Sequence, residues 1–229
     1  GYITGRGYVL GSGSYVVVVG GINVDIGGRS HAPLVAADSN PGTVSMSVGG
    51  VGRNIAHNLA LLGADVRMLT AMGDDLYGQK IAAACTEQGI DMSHAQKLPG
   101  ESTSTYLYIA APDGDMAMAI SDMSICNRID SEYLAANLST LQNAQVVVAD
   151  TNIPVESLVF LAENCKCPLF VDPVSTVKAA KLPSILSKIH TLKPNRLEAE
   201  LLSGIPIRDR TDVEKAAGKL LELGVHRVF

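Results

Sequence analysis

The chain has 229 residues, is 47% hydrophobic but only 4% aromatic, and carries a formal net charge of −5. That length suits one large α/β domain, alone or with a small appendage, around a core of Ala, Val, Leu and Ile. The acidic balance gives no footprint for nucleic acid or an acidic membrane surface, and with no apolar run of membrane length and no signal-peptide pattern the expectation is a cytoplasmic protein without membrane contact.

The opening "GYITGRGYVLGSGS" is glycine-rich and lacks a core pattern. "YVVVVGG" (15–21) predicts a strand buried on both faces. "INVDIGGRS" (22–30) and "TVSMSV" (43–48) predict half-exposed strands. A helix is predicted over 54–62, where Ile55, Ala56, Leu59, Ala60 and Leu62 share one face at period 3.6, and Gly63 stops it. A strand over 66–72 and a helix over 76–88 follow. "STSTYLYIAAPDGDMAMAIS" (102–121) predicts a hairpin, two β-rich arms around Pro-Asp-Gly-Asp. Then come a strand over 144–150, a helix over 155–165, a strand over 167–173, a helix over 182–189 and a strand over 190–194. Helices over 195–204 and 212–224 lead into "VHRVF", which reads as the start of a further buried strand. Strands alternating with helices predict an α/β fold, a doubly wound and mostly parallel sheet flanked by helices. The strands within 22–48 and the 103–121 hairpin interrupt that rhythm, so they are expected to form a small sheet beside the main one.

The candidate chemistry lies at the ends of these elements. Gly49, Gly50 and Gly52 let backbone approach a ligand or adopt positive φ. Asn23 and Asp25 follow a buried strand and share a face by the period of two. A carboxylate that accepts and an amide that does both are suited to vicinal hydroxyls, although a polar strand end explains the same residues. Asn54 either projects toward a ligand or caps the helix. Asn195 and Glu198 have capping-box spacing, which the spacing alone favours over a carboxylate placed near a metal-bound phosphate. Asp75, Asp150 and Asp172 each end a strand on the edge where open α/β sheets bind ligands. A P-loop, a dinucleotide GxGxxG and an HExxH zinc motif are absent. The four cysteines, Cys85, Cys126, Cys165 and Cys167, form no CxxC pair and read as free thiols. His57, alone in mid-helix, reads as packed or solvated.

Taken together, "GGVGRNIAHNLALLGADVRMLTAMGDDLYG" and the Asn-x-x-Glu of "KPNRLEAE" strongly resemble the signatures of the ribokinase-like (PfkB) family of sugar and nucleoside kinases, from about Val16 to Phe229. "ADSNPG", "ISDMSI" and "HTLKPNRLEAELLSG" look most like its bacterial pseudouridine kinase branch. The resemblance implies a kinase domain over 15–229 with a β-sheet lid from about 22–48 and 103–121. It implies ATP-dependent phosphorylation of the 5′-hydroxyl of pseudouridine, with Mg²⁺ and room for a monovalent cation. By position, Asn23, Asp25, Gly50 and Asn54 would hold the ribose, and Asn195 and Glu198 would organise magnesium and phosphate through water. Asp38, Asn40, Thr103, Tyr106 and Asp122 are the candidates for reading the base.

Residues 1–14 resemble the last wing of a winged helix-turn-helix, from which no DNA binding is inferred. The family's Gly-Ala-Gly-Asp stretch, which supplies the catalytic base and an anion hole, does not occur in these 229 residues. The chain as it stands is therefore expected not to turn over, and the expected function belongs to the complete protein. Ribokinase or another nucleoside kinase, and a non-catalytic nucleoside-sensing regulator, stand as alternatives. Lid strands in this family often pair across a homodimer.

Overall fold

Alternate residues of the first strand face two different cores. In the computed structural model, which describes residues 13–229, β1 (Val16–Val19) is four buried valines. Val17 and Val19 pack in one cluster with Leu158, Leu161 and Ile185, while Val16 and Val18 pack in another with Ala56, Met68 and Ile81. A strand apolar on both faces belongs at the centre of a sheet covered by helices on both sides. The wing-like segment expected over 1–14 lies outside the described residues except for its last two positions.

After β1 come β2 (Asn23–Ser30), β3 (Gly42–Gly49), α1 (Val51–Leu61), β4 (Val66–Leu69), β5 (Ala71–Gly73), α2 (Leu76–Glu87), β6 (Ile90–Asp91) and β7 (Gln96–Leu98). The hairpin β8 (Thr105–Ala110) and β9 (Met116–Asp122) leads to α3 (Ser131–Ala136) and α4 (Leu138–Gln142). The last third holds β10 (Val146–Asp150), α5 (Val155–Asn164), β11 (Leu169–Asp172), α6 (Thr176–Ala179), β12 (Thr191–Leu192), α7 (Arg196–Ser203), α8 (Arg210–Glu222) and β13 (Arg227–Val228). Seven strands form a parallel sheet in the order β13-β12-β11-β10-β1-β4-β6. From β1 the chain runs first toward β6, then returns to β10 and runs toward β13. The β1/β10 boundary is thus the topological switch point, outside whose carboxyl ends a crevice forms.

A second sheet orders its four strands β3-β2-β8-β9, with the β8/β9 hairpin antiparallel and β2 parallel to β8. Neighbours in register share a face. One face therefore carries Asp25, Tyr106 and Ser121, and the other carries Val44, Met46, Leu107, Ile109, Met118 and Ile120, all six exposed. The half-burial predicted for 43–48 fails, since β3 is exposed over nearly its whole length, as is β9 of the hairpin.

Several boundaries differ from those the sequence suggests. The helix expected from residue 54 starts at Val51, so Asn54 lies within it and does not cap it. The strand expected over 66–72 breaks at Thr70, whose hydroxyl donates to the Gly20 carbonyl at 2.7 Å. Beyond that break β5 pairs with β7 in a separate two-stranded ladder. Residues 183–188 form a 3-10 helix with Pro183 in its first turn. The helices α3 and α4 were not signalled by the periodicity.

Candidate active site

The site is assembled around one buried carboxylate. Asp150 ends β10 and is wholly enclosed. Its Oδ2 accepts from Gly21 N at 2.9 Å and Gly52 N at 2.7 Å, and its Oδ1 accepts from Asn152 N at 2.9 Å. Gly52 lies in the first turn of α1, so Asp150 satisfies a helix N–H that would otherwise lack a partner and meets the positive end of the helix dipole. Burial pushes the Asp150 carboxyl above its ordinary range, against the hydrogen bonds from Asn152, Gly21 and Gly52. This carboxylate organises the glycine loop and leaves no oxygen facing the crevice.

Gly50 is where the loop requires glycine. Its φ is 100°, and a Cβ there would sit 2.5 Å from the Gly21 carbonyl oxygen. That close approach of two backbones sets α1 beside β2, so that Asn23, Asp25, Gly50, Val51 and Asn54 border one cavity of about 270 Å³. Asn23 Nδ2 donates to Asp25 Oδ1 at 2.6 Å, which confirms that the two side chains share a face. Asn54 is oriented from behind. Buried Arg53 donates through Nη1 to Asn54 Oδ1 at 3.1 Å and through Nη2 to Gln88 Oε1 at 2.9 Å. With its oxygen engaged, Asn54 offers its amide N–H groups.

The same cavity takes Tyr106 and Ser121 from the small sheet, Met123 just beyond it, Asn152 and Val174 from the loops after β10 and β11, and Lys178 from α6. The last three were missed from sequence. Asn152 follows a strand end by two residues, a weak signal, and Lys178 lies in a four-residue helix too short to show periodicity. A larger crevice of about 780 Å³ shares Val51 and Asn54 with this cavity and extends past Phe170, Asp172, Thr191 and Lys193 to Asn195.

The other predicted residues fall elsewhere. Asp38 and Asn40 border a different cavity, of about 300 Å³, with Arg29 and Thr43. The Asn23/Gly49 and Arg29/Thr43 pairs stand at opposite ends of the β2/β3 ladder, roughly 20 Å apart at the usual rise per residue. Thr103 is buried and spent on a turn: its hydroxyl donates to Asp75 Oδ1 at 2.6 Å and accepts from Gly73 N at 3.0 Å. Asp75 is correspondingly not a ligand-edge carboxylate but the N-cap of α2, accepting from Gly78 N at 2.7 Å. Asp122 is exposed and accepts from the Ser124 hydroxyl at 2.7 Å, which holds its carboxyl below the ordinary range.

Asn195 and Glu198 form a complete capping box on α7. Glu198, buried beneath the exposed Asn195, accepts from Asn195 N and Nδ2, both at 2.8 Å. Among the described residues, no group of three or more His, Cys, Asp or Glu could hold a metal ion, and no helix is long and apolar enough to cross a membrane.

Fold and site together define a doubly wound α/β protein with a polar small-molecule crevice at its switch point. Residues 14–229 match the pfkB family carbohydrate kinase profile, and the chain belongs to that family of phosphotransferases with alcohol acceptors. Such kinases use ATP. The pseudouridine kinase of Escherichia coli (strain K12) is 47% identical over 215 residues, spanning 93% of this chain and 69% of that protein. The uncharacterized sugar kinase YeiI of the same organism is 43% identical over the whole chain, which spans 64% of its length. In fold, the Arabidopsis thaliana ribokinase complexed with ribose and ATP superposes with a TM-score of 0.82 at 24% identity, covering 94% of this chain and 70% of that one.

Proposed function

We propose that the full-length protein transfers the γ-phosphoryl group of ATP to the 5′-hydroxyl of pseudouridine. The carrying observation is the cavity at the β1/β10 switch point, where Asn23, Asp25, Gly50 and Asn54 converge; the 47% identity to a pseudouridine kinase supports the choice of substrate. Asp25 accepts from ribose hydroxyls, Asn54 donates to them, and Gly50 lets the sugar lie against backbone. Tyr106 faces the base from the small sheet, with Thr103 and Asp122 holding the turns that enter and leave that hairpin at its open end. For Asp38 and Asn40 to read the base, the far end of the small sheet must be brought to the cavity, by this chain or by a second copy.

In this reading magnesium belongs to the larger crevice, held mostly through water. A hard cation keeps several waters and takes few protein oxygens, and each Glu198 oxygen accepts one hydrogen bond from Asn195, leaving lone pairs for metal-bound water. Asn195, which borders the crevice with Asp172, and Glu198, buried beneath Asn195, would hold such an ion through water. The ion supplies charge neutralisation for the transferring phosphoryl group. Lowering the small sheet over the ribose excludes water from the transfer. The exposed apolar face of that sheet, opposite the cavity, is suited to a homodimer. In this reading the protein is a two-substrate enzyme of the cytoplasm that acts on small molecules, a reading supported by its kinase family.

The test is a phosphorylation assay of the full-length protein with pseudouridine, uridine, ribose and adenosine. Preference for pseudouridine is the expected result. Preference for ribose or adenosine overturns the substrate and keeps the reaction. Ligand-dependent thermal stabilisation without turnover on any of the four replaces the enzyme with a sensor.

A further inference from the structure

Beyond the end of β11 the backbone does something costly. Val174 has φ 62°, in the left-handed region that β-branched residues avoid. Ser175 N donates to the Pro173 carbonyl at 2.6 Å, the i to i+2 bond of a γ-turn, and at positive φ this is the rarer, strained form. Its neighbours hold it there. Asp172 Oδ1 accepts from Val174 N at 2.9 Å, and the Thr151 hydroxyl donates to the Pro173 carbonyl at 2.5 Å. Ser175 then caps α6, accepting from Lys178 N. Strain fixed by several partners persists where a site needs the geometry it creates.

The turn brings Val174 and Lys178 to the smaller cavity. Lys178 Nζ donates to Asn152 Oδ1. Among the described residues, no carboxylate lies within ion-pair distance of it. An ammonium has three donors, and Asn152 takes one. The cavity thus has an accepting side at Asp25 and a donating side at Lys178. Val174, Met123 and Tyr106 supply apolar surface between polar groups, the lining that a flat ring requires. Lys178 does not border the larger crevice that holds Asn195, so its donors point to the substrate rather than to the phosphate region.

We propose that Lys178 is a specificity-determining residue that donates to a ring carbonyl oxygen of the nucleobase, and that the Val174 γ-turn is the positioning device that aims it. The inference rests on the nucleoside kinase reading above. A ribose without a base lacks that carbonyl, so Lys178 separates nucleosides from free sugars.

The test measures dissociation constants of the full-length protein for pseudouridine and for ribose by calorimetry. Lys178→Met is expected to weaken pseudouridine at least about tenfold, the range for losing a charge-assisted hydrogen bond, while ribose changes less than about twofold. Lys178→Arg restores part of the loss, and Thr151→Val, which removes the hydroxyl that holds the Pro173 carbonyl of the turn, weakens pseudouridine in the same direction. If Lys178→Met lowers the melting temperature, Lys178→Gln carries the comparison. Equal weakening of both ligands, or of neither, overturns the role of Lys178 while leaving the kinase reading intact. A wild-type protein that binds no nucleoside overturns both.

Discussion

The carboxyl edge of the parallel sheet and the small four-stranded sheet meet at one cavity but are built by opposite rules. At the parallel edge, and at the first residues of β2 where the small sheet is rooted beside it, polar groups are held from behind: Asp150 by three backbone N–H groups, Asn54 by Arg53, Asn23 by Asp25. Farther along, the small sheet contributes Tyr106 from the half-buried β8 and Ser121 from the exposed β9, and among the described residues no helix covers their apolar face. Fixed dipoles grip a ligand without reorganisation. An uncovered sheet keeps little of its stability in its own packing and can move or pair. The rigid half is therefore suited to hold the sugar, and the exposed half to close on it.

Breaking the rigid half has the largest expected effect. Asp25→Ala should lower kcat/KM for the nucleoside by about a thousandfold or more, about 4 kcal/mol, with circular dichroism unchanged. Near-normal turnover would remove Asp25 from the site. Gly50→Ala comes next. With φ 100° and a Cβ 2.5 Å from the Gly21 oxygen, it should cost roughly 2–4 kcal/mol of stability, read by denaturant titration. A wild-type midpoint would show that the loop relaxes freely.

The turn that ties the start of α2 to the segment before β8 gives a smaller, pH-dependent effect. Burial raises the Asp75 carboxyl, but hydrogen bonds from Thr103, Gly78 and Tyr77 outweigh it and hold the group below its reference value of 3.8. A depressed acid contributes stability that is complete above the unfolded value and is lost as pH falls through the folded one. Asp75→Asn should therefore be about 1 kcal/mol less stable at pH 7, with the gap closing below about pH 4. Melting curves that stay parallel down to pH 3 would contradict this. The smallest effect belongs to the open sheet. Ile120→Ser, at a side chain 63% exposed, should change protomer stability by no more than about 0.5 kcal/mol. In sedimentation it should shift a homodimer toward monomer, and an unchanged association state would place any dimer contact elsewhere.

Much of this was legible in the sequence. The valine run at 16–19 could only be a central strand, because no face of it tolerates water. Asn23 and Asp25 had to share a face by the strand period, and Gly50 preceded an apolar helical face. The Asn195–Glu198 spacing wrote out its own capping box. Other features were ambiguous for local reasons. Asp75 and Asp150 each stand at a strand end, yet both are spent on backbone N–H groups, some local and some, Thr103 for Asp75 and Gly21 and Gly52 for Asp150, from segments far along the chain. Asn54 read either as a ligand-facing residue or as a cap, and capping falls away because the helix starts earlier, where Asp150 reaches across from β10.

The sequence by itself determined the alternation of strands and helices, the setting apart of the small sheet and the residue pairs within one turn or strand, since each depends on periodicity or on neighbours a few positions apart. Only the tertiary structure decided which polar groups remain available to a ligand. It put Asn152, Val174 and Lys178 beside Asp25, left Asp38 and Asn40 at the opposite end of the small sheet, and strained Val174. Hydrogen-bond capacity is finite, and the partners that fill it here lie from about twenty to more than a hundred residues away.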